Sequence, residues 1–135
     1  METKKDHHPN FKEISKNLPT SEFTVYCYGD VIYNPSGQEI PIDIQYHESI
    51  HSRQQKVFMS PEIWWTKYIA LASFREDKEL EAFAEQCVWV KKHLGAKAFS
   101  GCLDECAENL SSGYGLDLNF SQAHTRIRYK IKEMS

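Results

Sequence analysis

The spacing of apolar positions along the chain changes near residue 42. Upstream, residues 22–34 are rich in β-branched and aromatic side chains, which is typical of strands. Gly29 and Asp30 interrupt this run and residues 34–38 (NPSGQ) carry turn chemistry, so we predict two short strands or one bulged strand. Downstream, the pattern favours helices. The chain is therefore expected to be α+β: a small β-hairpin or sheet followed by a mainly helical core.

Capping residues mark the ends of the predicted helices. Ser60 can cap the second helix and Pro61 suits its first turn, while Gly95 suits the end of the third. Ser121 is the expected cap of the last helix. The predicted helices cover residues 42–56, a segment beginning at 60, and residues 75–94, 100–112 and 121–134.

The first twenty residues differ from the rest in being polar and irregular. We expect residues 1–20 to form a flexible N-terminal arm and residues 21–135 to form a single domain. No apolar run reaches the roughly 18 residues of a membrane helix, and the N-terminus lacks the apolar core of a signal peptide. A cytoplasmic protein is therefore expected. The net charge of −3 does not indicate a nucleic-acid or membrane partner.

Residues 47–51, in the first predicted helix, read His-Glu-Ser-Ile-His. Residues four apart on an α-helix are separated by only about 40° around its axis, so His47 and His51 project from one face. Two imidazoles placed in this way can bind one zinc ion. Glu48 lies about 100° from His47 around the helix, which suits a general base beside a metal-bound water. The spacing predicts a zinc site with its catalytic base.

A catalytic zinc site needs three protein ligands and one open position. The third predicted helix offers carboxylates for the third ligand. Glu79 and Glu81 lie about 200° apart on that helix, so they cannot both face the metal. The residues by themselves leave the choice open among Glu76, Glu79, Glu81 and Glu85.

His-Glu-Ser-Ile-His followed by Glu-Leu-Glu-Ala-Phe at residues 79–83 resembles the gluzincin metallopeptidases, such as thermolysin and the HtpX and CAAX-protease type. Their third ligand is the first residue of a Glu-x-x-(Ala/Ser)-Asp element. The resemblance implies a zincin-like domain with Glu79 as third ligand and Glu81 as the alternative. Phe83 departs from the pattern, because the family carries there an Asp that supports a ligand histidine. Asp43, Asp77 or a main-chain carbonyl is expected to replace it.

A closer resemblance, over roughly residues 30–120, is to small phage and prophage metallopeptidases. The shared elements are His-Glu-x-x-His-x-x-Gln-Gln at 47–55, Trp-Trp-x-x-Tyr at 64–68, Phe-Arg at 74–75 and Glu-x-x-Ala-aromatic at 79–83. The resemblance implies a zinc-dependent peptidase acting on a peptide or protein substrate. Two alternatives stay open: a zincin-like binding or assembly protein without turnover, and a zinc amidase acting on a non-protein amide such as peptidoglycan.

Outside the motif, the remaining candidates are expected to have supporting roles. Residues 64–68 are expected to lie in the core, and Arg53 and Arg75 in surface ion pairs. Gluzincins often place a Tyr or His donor for the oxyanion in the C-terminal region, which makes Tyr114 and His124 candidates. The cysteines are expected to be reduced and buried as small apolar side chains; they are Cys27, Cys87, Cys102 and Cys106.

Overall fold

The computed structural model describes residues 1–135 as a small sheet packed on helices. Its elements in chain order are β1 (Glu2–Lys4), α1 (Phe11–Asn17), β2 (Tyr26–Tyr28), β3 (Val31–Tyr33), α2 (Ile42–Val57), α3 (Pro61–Ala70), α4 (Ala72–Leu94), α5 (Ala96–Ser112) and α6 (Phe120–Met134). The predicted α+β class, with a small sheet followed by a helical core, is confirmed.

The strand-like run forms a hairpin of two short strands, β2 and β3. They pair antiparallel, and Gly29 and Asp30 make the turn between them. Gly29 has a φ of 61°, in the left-handed region that glycine adopts without steric cost. β1 adds to β3 in parallel, so the sheet order is β1-β3-β2 and β2 is an edge strand. This edge packs on α2 and so lies beside the helix that carries the histidine motif.

The prediction of a flexible arm over residues 1–20 is wrong. Residues 2–4 pair with β3, and residues 11–17 form a helix. Ile14 and Leu18, one turn apart, pack in a buried cluster with the aromatic side chains of α3. His8 is also buried, with its ring 4.3 Å from that of Trp65. The segment has too few apolar residues to show a helical pattern in the sequence. Its short helix is stabilised by packing against α3 rather than by local propensity, which a sequence pattern does not reveal.

The predicted helices are present, with differences at their ends. Ser60 accepts a hydrogen bond from the Ile63 amide and caps α3, as predicted. α4 begins at Ala72, three residues earlier than expected, and ends before Gly95, whose φ is 94°. The cap predicted at Ser121 is wrong. Asn119 caps α6 instead, through a reciprocal pair of hydrogen bonds with Gln122.

Two hydrophobic clusters hold the helices together. One lies among α4, α5 and α6, and the other joins α1 to α3. As predicted, Trp64, Trp65 and Tyr68 are buried. None of the helices is both long and apolar enough to cross a bilayer. The packing of α2 on α4 between these clusters positions the functional candidates.

Candidate metal centre

The donor atoms of His47, His51 and Glu79 converge between α2 and α4. The Nε2 atoms of the two histidines are 3.2 Å apart, as their position one turn apart on α2 predicts. Glu79 Oε1, from α4, lies 3.0 Å from His47 Nε2 and 3.2 Å from His51 Nε2. All three side chains are buried. The structure therefore brings the three predicted ligands into one triangle.

The size of this triangle suits a small metal ion. Ligand atoms at 2.0–2.1 Å from a tetrahedral zinc are about 3.3 Å from one another. The observed sides of 3.0, 3.2 and 3.2 Å are close to that spacing. The residues present can hold a metal ion, with one coordination position left over.

Gln86 fixes the orientation of the His47 ring. His47 Nδ1 lies 3.0 Å from Gln86 Oε1, and Gln86 Nε2 donates to Asp43 Oδ2 at 2.8 Å. Because the amide nitrogen faces a carboxylate, the amide oxygen must accept from His47 Nδ1–H. That tautomer leaves the lone pair of His47 Nε2 directed into the triangle. Gln86, one turn beyond Phe83, thus supports a histidine of the triangle, the role that an aspartate has in the gluzincins.

Of the replacements expected for that aspartate, Asp43 takes part only indirectly, behind Gln86. The prediction that Asp77 supports a ligand histidine is wrong, because Asp77 lies on the surface beside Lys78. No main-chain carbonyl contacts His47 Nδ1. Sequence reasoning missed Gln86 because its contact with His47 spans 39 residues.

Gln54 holds His51 in the same way. His51 Nδ1 lies 2.9 Å from Gln54 Oε1, and Gln54 Nε2 donates to Glu81 Oε1 at 2.8 Å and to Lys78 O at 3.0 Å. Glu81, the alternative third ligand, therefore points away from the metal position and orients Gln54. The signal for Gln54 was local, since it follows His51 by three residues on the same helix.

Tyr68 completes the ring of supporting residues. Its hydroxyl donates to Glu79 Oε2 at 2.5 Å, and this oxygen also lies 3.1 Å from His51 Nε2, while Oε1 lies close to both histidines. Arg75 is buried and donates to the main-chain oxygens of Tyr68 and Tyr114. Its predicted surface ion pair is wrong, whereas Arg53 does pair with Glu85, at 3.6 Å. No spacing rule connects these residues, because main-chain oxygens leave no mark in a sequence.

The charges within the triangle are strongly coupled. Burial opposes the charged form of Glu79, but the charge of His51 and hydrogen bonds from both histidines lower its pKa well below the usual range. Burial also disfavours charged His51, yet Glu79 outweighs it and raises the pKa of His51 to about 9. A proton on His51 therefore sits where a metal cation would sit, and metal binding must displace it.

Glu48 lies beside the triangle without belonging to it. Its Oε2 is 4.0 Å from His47 Nε2, and its side chain is buried. Burial raises the pKa of Glu48, while the nearby histidine charges oppose the shift. A carboxylate in this position is close enough to exchange a proton with a water bound at the remaining coordination position.

A cavity of about 470 Å³ opens over the triangle. Its wall includes His47, Glu48, His51, Glu79 and Tyr114. Burial raises the pKa of Tyr114 well above its usual value, so it stays a donor. His124 does not reach the cavity, because it pairs with Asp104 on the surface at 3.2 Å. Of the two oxyanion candidates, only Tyr114 lies near the site.

No family model, curated protein or solved structure matches this chain. The resemblance to gluzincins therefore stays a prediction from the quoted motifs. What the structure adds is independent of it: three buried donor atoms in one triangle, each held by a partner outside the triangle.

Proposed function

We propose that the protein is a zinc-dependent peptidase, with His47, His51 and Glu79 as the ligands. The observation that carries this proposal is the triangle of donor atoms, 3.0–3.2 Å on each side, at the base of a cavity that also contains Glu48. When bound there, zinc would lower the pKa of a bound water and polarise a carbonyl group.

In this proposal Glu48 carries the proton. It takes the proton from the attacking water and delivers it to the nitrogen of the leaving group. Its buried position, 4.0 Å from His47 Nε2, supports this role, because proton transfer needs a carboxylate adjacent to the water. The raised pKa of Glu48 supports it further, since a stronger base accepts the proton more readily.

Tyr114 is the proposed donor to the developing oxyanion. Tyr114 lines the same cavity as Glu48 and the three proposed ligands, which supports this role. A preorganised donor of this kind contributes a large share of catalysis in acyl-group hydrolysis. Arg75, which binds the main-chain oxygen of Tyr114 at 2.7 Å, is a positioning residue.

The wall of the cavity supports a peptide as substrate. Residues 23–26, which lead into edge strand β2, line the cavity, and the main-chain N–H and C=O of Val25 have no partner within the protein. An extended peptide can pair with such a free main-chain segment. At Cys27 the edge is already taken, because Gln55 and Trp65 both donate to its carbonyl oxygen. Pairing is therefore proposed upstream of Cys27, next to the triangle.

The test is Glu48→Gln, assayed on a peptide library with zinc-loaded protein. We expect cleavage to fall by about 10²–10⁴-fold while zinc content stays at one ion per chain. Glu85→Gln is the matched control, since Glu85 lies on α4 outside the cavity and should leave cleavage unchanged. Wild-type protein without stoichiometric zinc, or cleavage equal in the two variants, would contradict the proposal. Full zinc content without any cleavage of peptides would favour the binding protein or the amidase.

A further inference from the structure

Three of the four cysteines meet beside a neighbouring face of α4, about 80–100° around the helix from Glu79 and Gln86, which face the histidines. Cys87 projects from α4, and Cys102 and Cys106 lie one turn apart on α5. The Sγ atoms are 3.9 Å apart for Cys87 and Cys102, and 3.8 Å apart for each of the other two pairs. All three thiols are free and buried. All four cysteines are buried and none forms a disulfide, as predicted, but the convergence of three of them was not predicted.

The triangle of sulfur atoms has the size of a three-sulfur metal site. Ligands at about 2.3 Å from one ion, in tetrahedral directions, are about 3.8 Å apart. Packed thiols in simple contact reach a similar distance, so one such pair would mean little. Here all three sides have this length, and the three sulfur atoms face one another.

The geometry points to a second metal centre, in which Cys87, Cys102 and Cys106 bind one soft, thiophilic ion through three sulfur atoms. The thiolate is the ligand form, so each sulfur that binds releases its proton to solvent.

The surroundings select an ion that is satisfied by three soft ligands. No histidine or carboxylate joins the three sulfur atoms, and apolar side chains such as Phe83, Leu103 and Leu110 surround them. A structural zinc ion takes four protein ligands, and a catalytic zinc ion takes a water in the fourth position. An apolar wall supplies neither. Soft thiolate ligands suit both Cu(I) and zinc, and of these two ions Cu(I) is the one that three sulfur ligands alone can satisfy.

The second centre is independent of the proposed peptidase. α4 directs Glu79 and Gln86 towards α2, and Cys87 towards α5. Phe83 stands between the two sites, because its ring lies 4.5 Å from that of His47 and it packs in the cluster with the cysteines. The two triangles differ in donor chemistry, nitrogen and oxygen against sulfur, so added ions are expected to separate by softness.

The experiment is a Cu(I) titration of the full, reduced chain against a chromophoric Cu(I) chelator, followed by ultraviolet and X-ray absorption. We expect one Cu(I) per chain, a sulfur-to-copper charge-transfer band and three Cu–S contacts. A His47→Ala/His51→Ala variant should keep all three signals. Cys106→Ala should weaken binding at least about a hundredfold. Cys27→Ala is the matched control, since Cys27 is equally buried but lies in β2, and it should bind copper as the wild type does.

Several outcomes would overturn the second centre. One is a wild-type chain without a charge-transfer band, which can be read even where a cysteine variant fails to fold. Others are equal copper binding by Cys27→Ala and Cys106→Ala, loss of copper in the histidine variant, or a disulfide between Cys87 and either partner. In a parallel titration with zinc, we expect one zinc ion per chain, bound at the histidine centre only. Zinc lost with Cys106 would contradict the choice of an ion with low coordination number.

Discussion

Two triangles of donor atoms lie beside neighbouring faces of α4, with Phe83 between them, and they are held in place in different ways. In the histidine and glutamate triangle, each donor has a hydrogen-bonded partner outside it: Gln86, Gln54 or Tyr68. In the cysteine triangle, the sulfur atoms contact one another and apolar neighbours. The first geometry depends on directed hydrogen bonds, and the second on packing alone.

The difference follows from the donor groups. An imidazole must present one particular nitrogen lone pair, so its other nitrogen needs a fixed partner. A thiol has no second polar atom to orient, so packing around Cβ suffices to place the sulfur. Removing Gln86, Gln54 or Tyr68 should therefore weaken metal binding at the histidine triangle, whereas no hydrogen-bonding residue outside the cysteine triangle orients its sulfur atoms.

The largest expected effect comes from Phe83, which separates the triangles. Phe83→Asp introduces the residue that gluzincins carry at the corresponding position of their motif, yet His47 Nδ1 already has Gln86 as its partner. The new carboxylate would be buried without a partner, at a position that is 4% exposed. We expect the metal-free variant to lose about 3–5 kcal/mol of unfolding free energy, measured by urea denaturation.

Phe83→Leu is the control for lost aromatic volume, and it should lose clearly less stability than Phe83→Asp. An aspartate variant as stable as the leucine variant, with tighter zinc binding, would show that the aspartate had displaced Gln86. That result would contradict the assignment of Phe83 as an apolar side chain that separates the histidine triangle from the cysteine triangle.

The next effect is on metal affinity. Gln86→Leu removes the acceptor from His47 Nδ1 while keeping a side chain of similar size. We expect zinc affinity to fall about 10–100-fold, as is common when such an outer partner is lost. Competition with a chromophoric chelator measures the change. Asp43→Asn retains an acceptor for the Gln86 amide and should stay close to wild type; an equal loss in both variants would assign the main role to the Asp43 charge.

The sequence predicted the part of the site that depends on local spacing. His47, Glu48 and His51 lie within five residues of one helix, and helical geometry fixes how they project. Glu79 required a resemblance, because four glutamates of one helix satisfied the spacing equally. Tyr68, Gln86 and Arg75 were missed or misassigned, since their contacts join different helices or use main-chain oxygens.

The fold shows the same limit. Capping residues and a glycine placed the start of α3 and the end of α4, and the helical pattern placed α2 to within about one residue at each end. The segment before residue 20 was wrongly predicted because Ile14 and Leu18 are held by contacts with α3, some fifty residues away. The cysteine triangle was not predicted for the same reason: Cys87 and Cys102 lie on different helices and come into contact only when α4 and α5 pack together.

The smallest expected effect distinguishes the two glutamates that the sequence left as alternatives. Glu81→Gln keeps an oxygen that accepts from Gln54 Nε2, and Lys78 O still accepts from the same nitrogen. Zinc affinity should therefore fall by less than about threefold, the size expected when a neutral acceptor replaces a charged one in a shared hydrogen bond. Glu79→Gln replaces a ligand and should lower affinity at least about a hundredfold by the same chelator competition. The reverse order of effects would make Glu81 the third ligand. Glu81 could then no longer orient Gln54, the residue that holds His51.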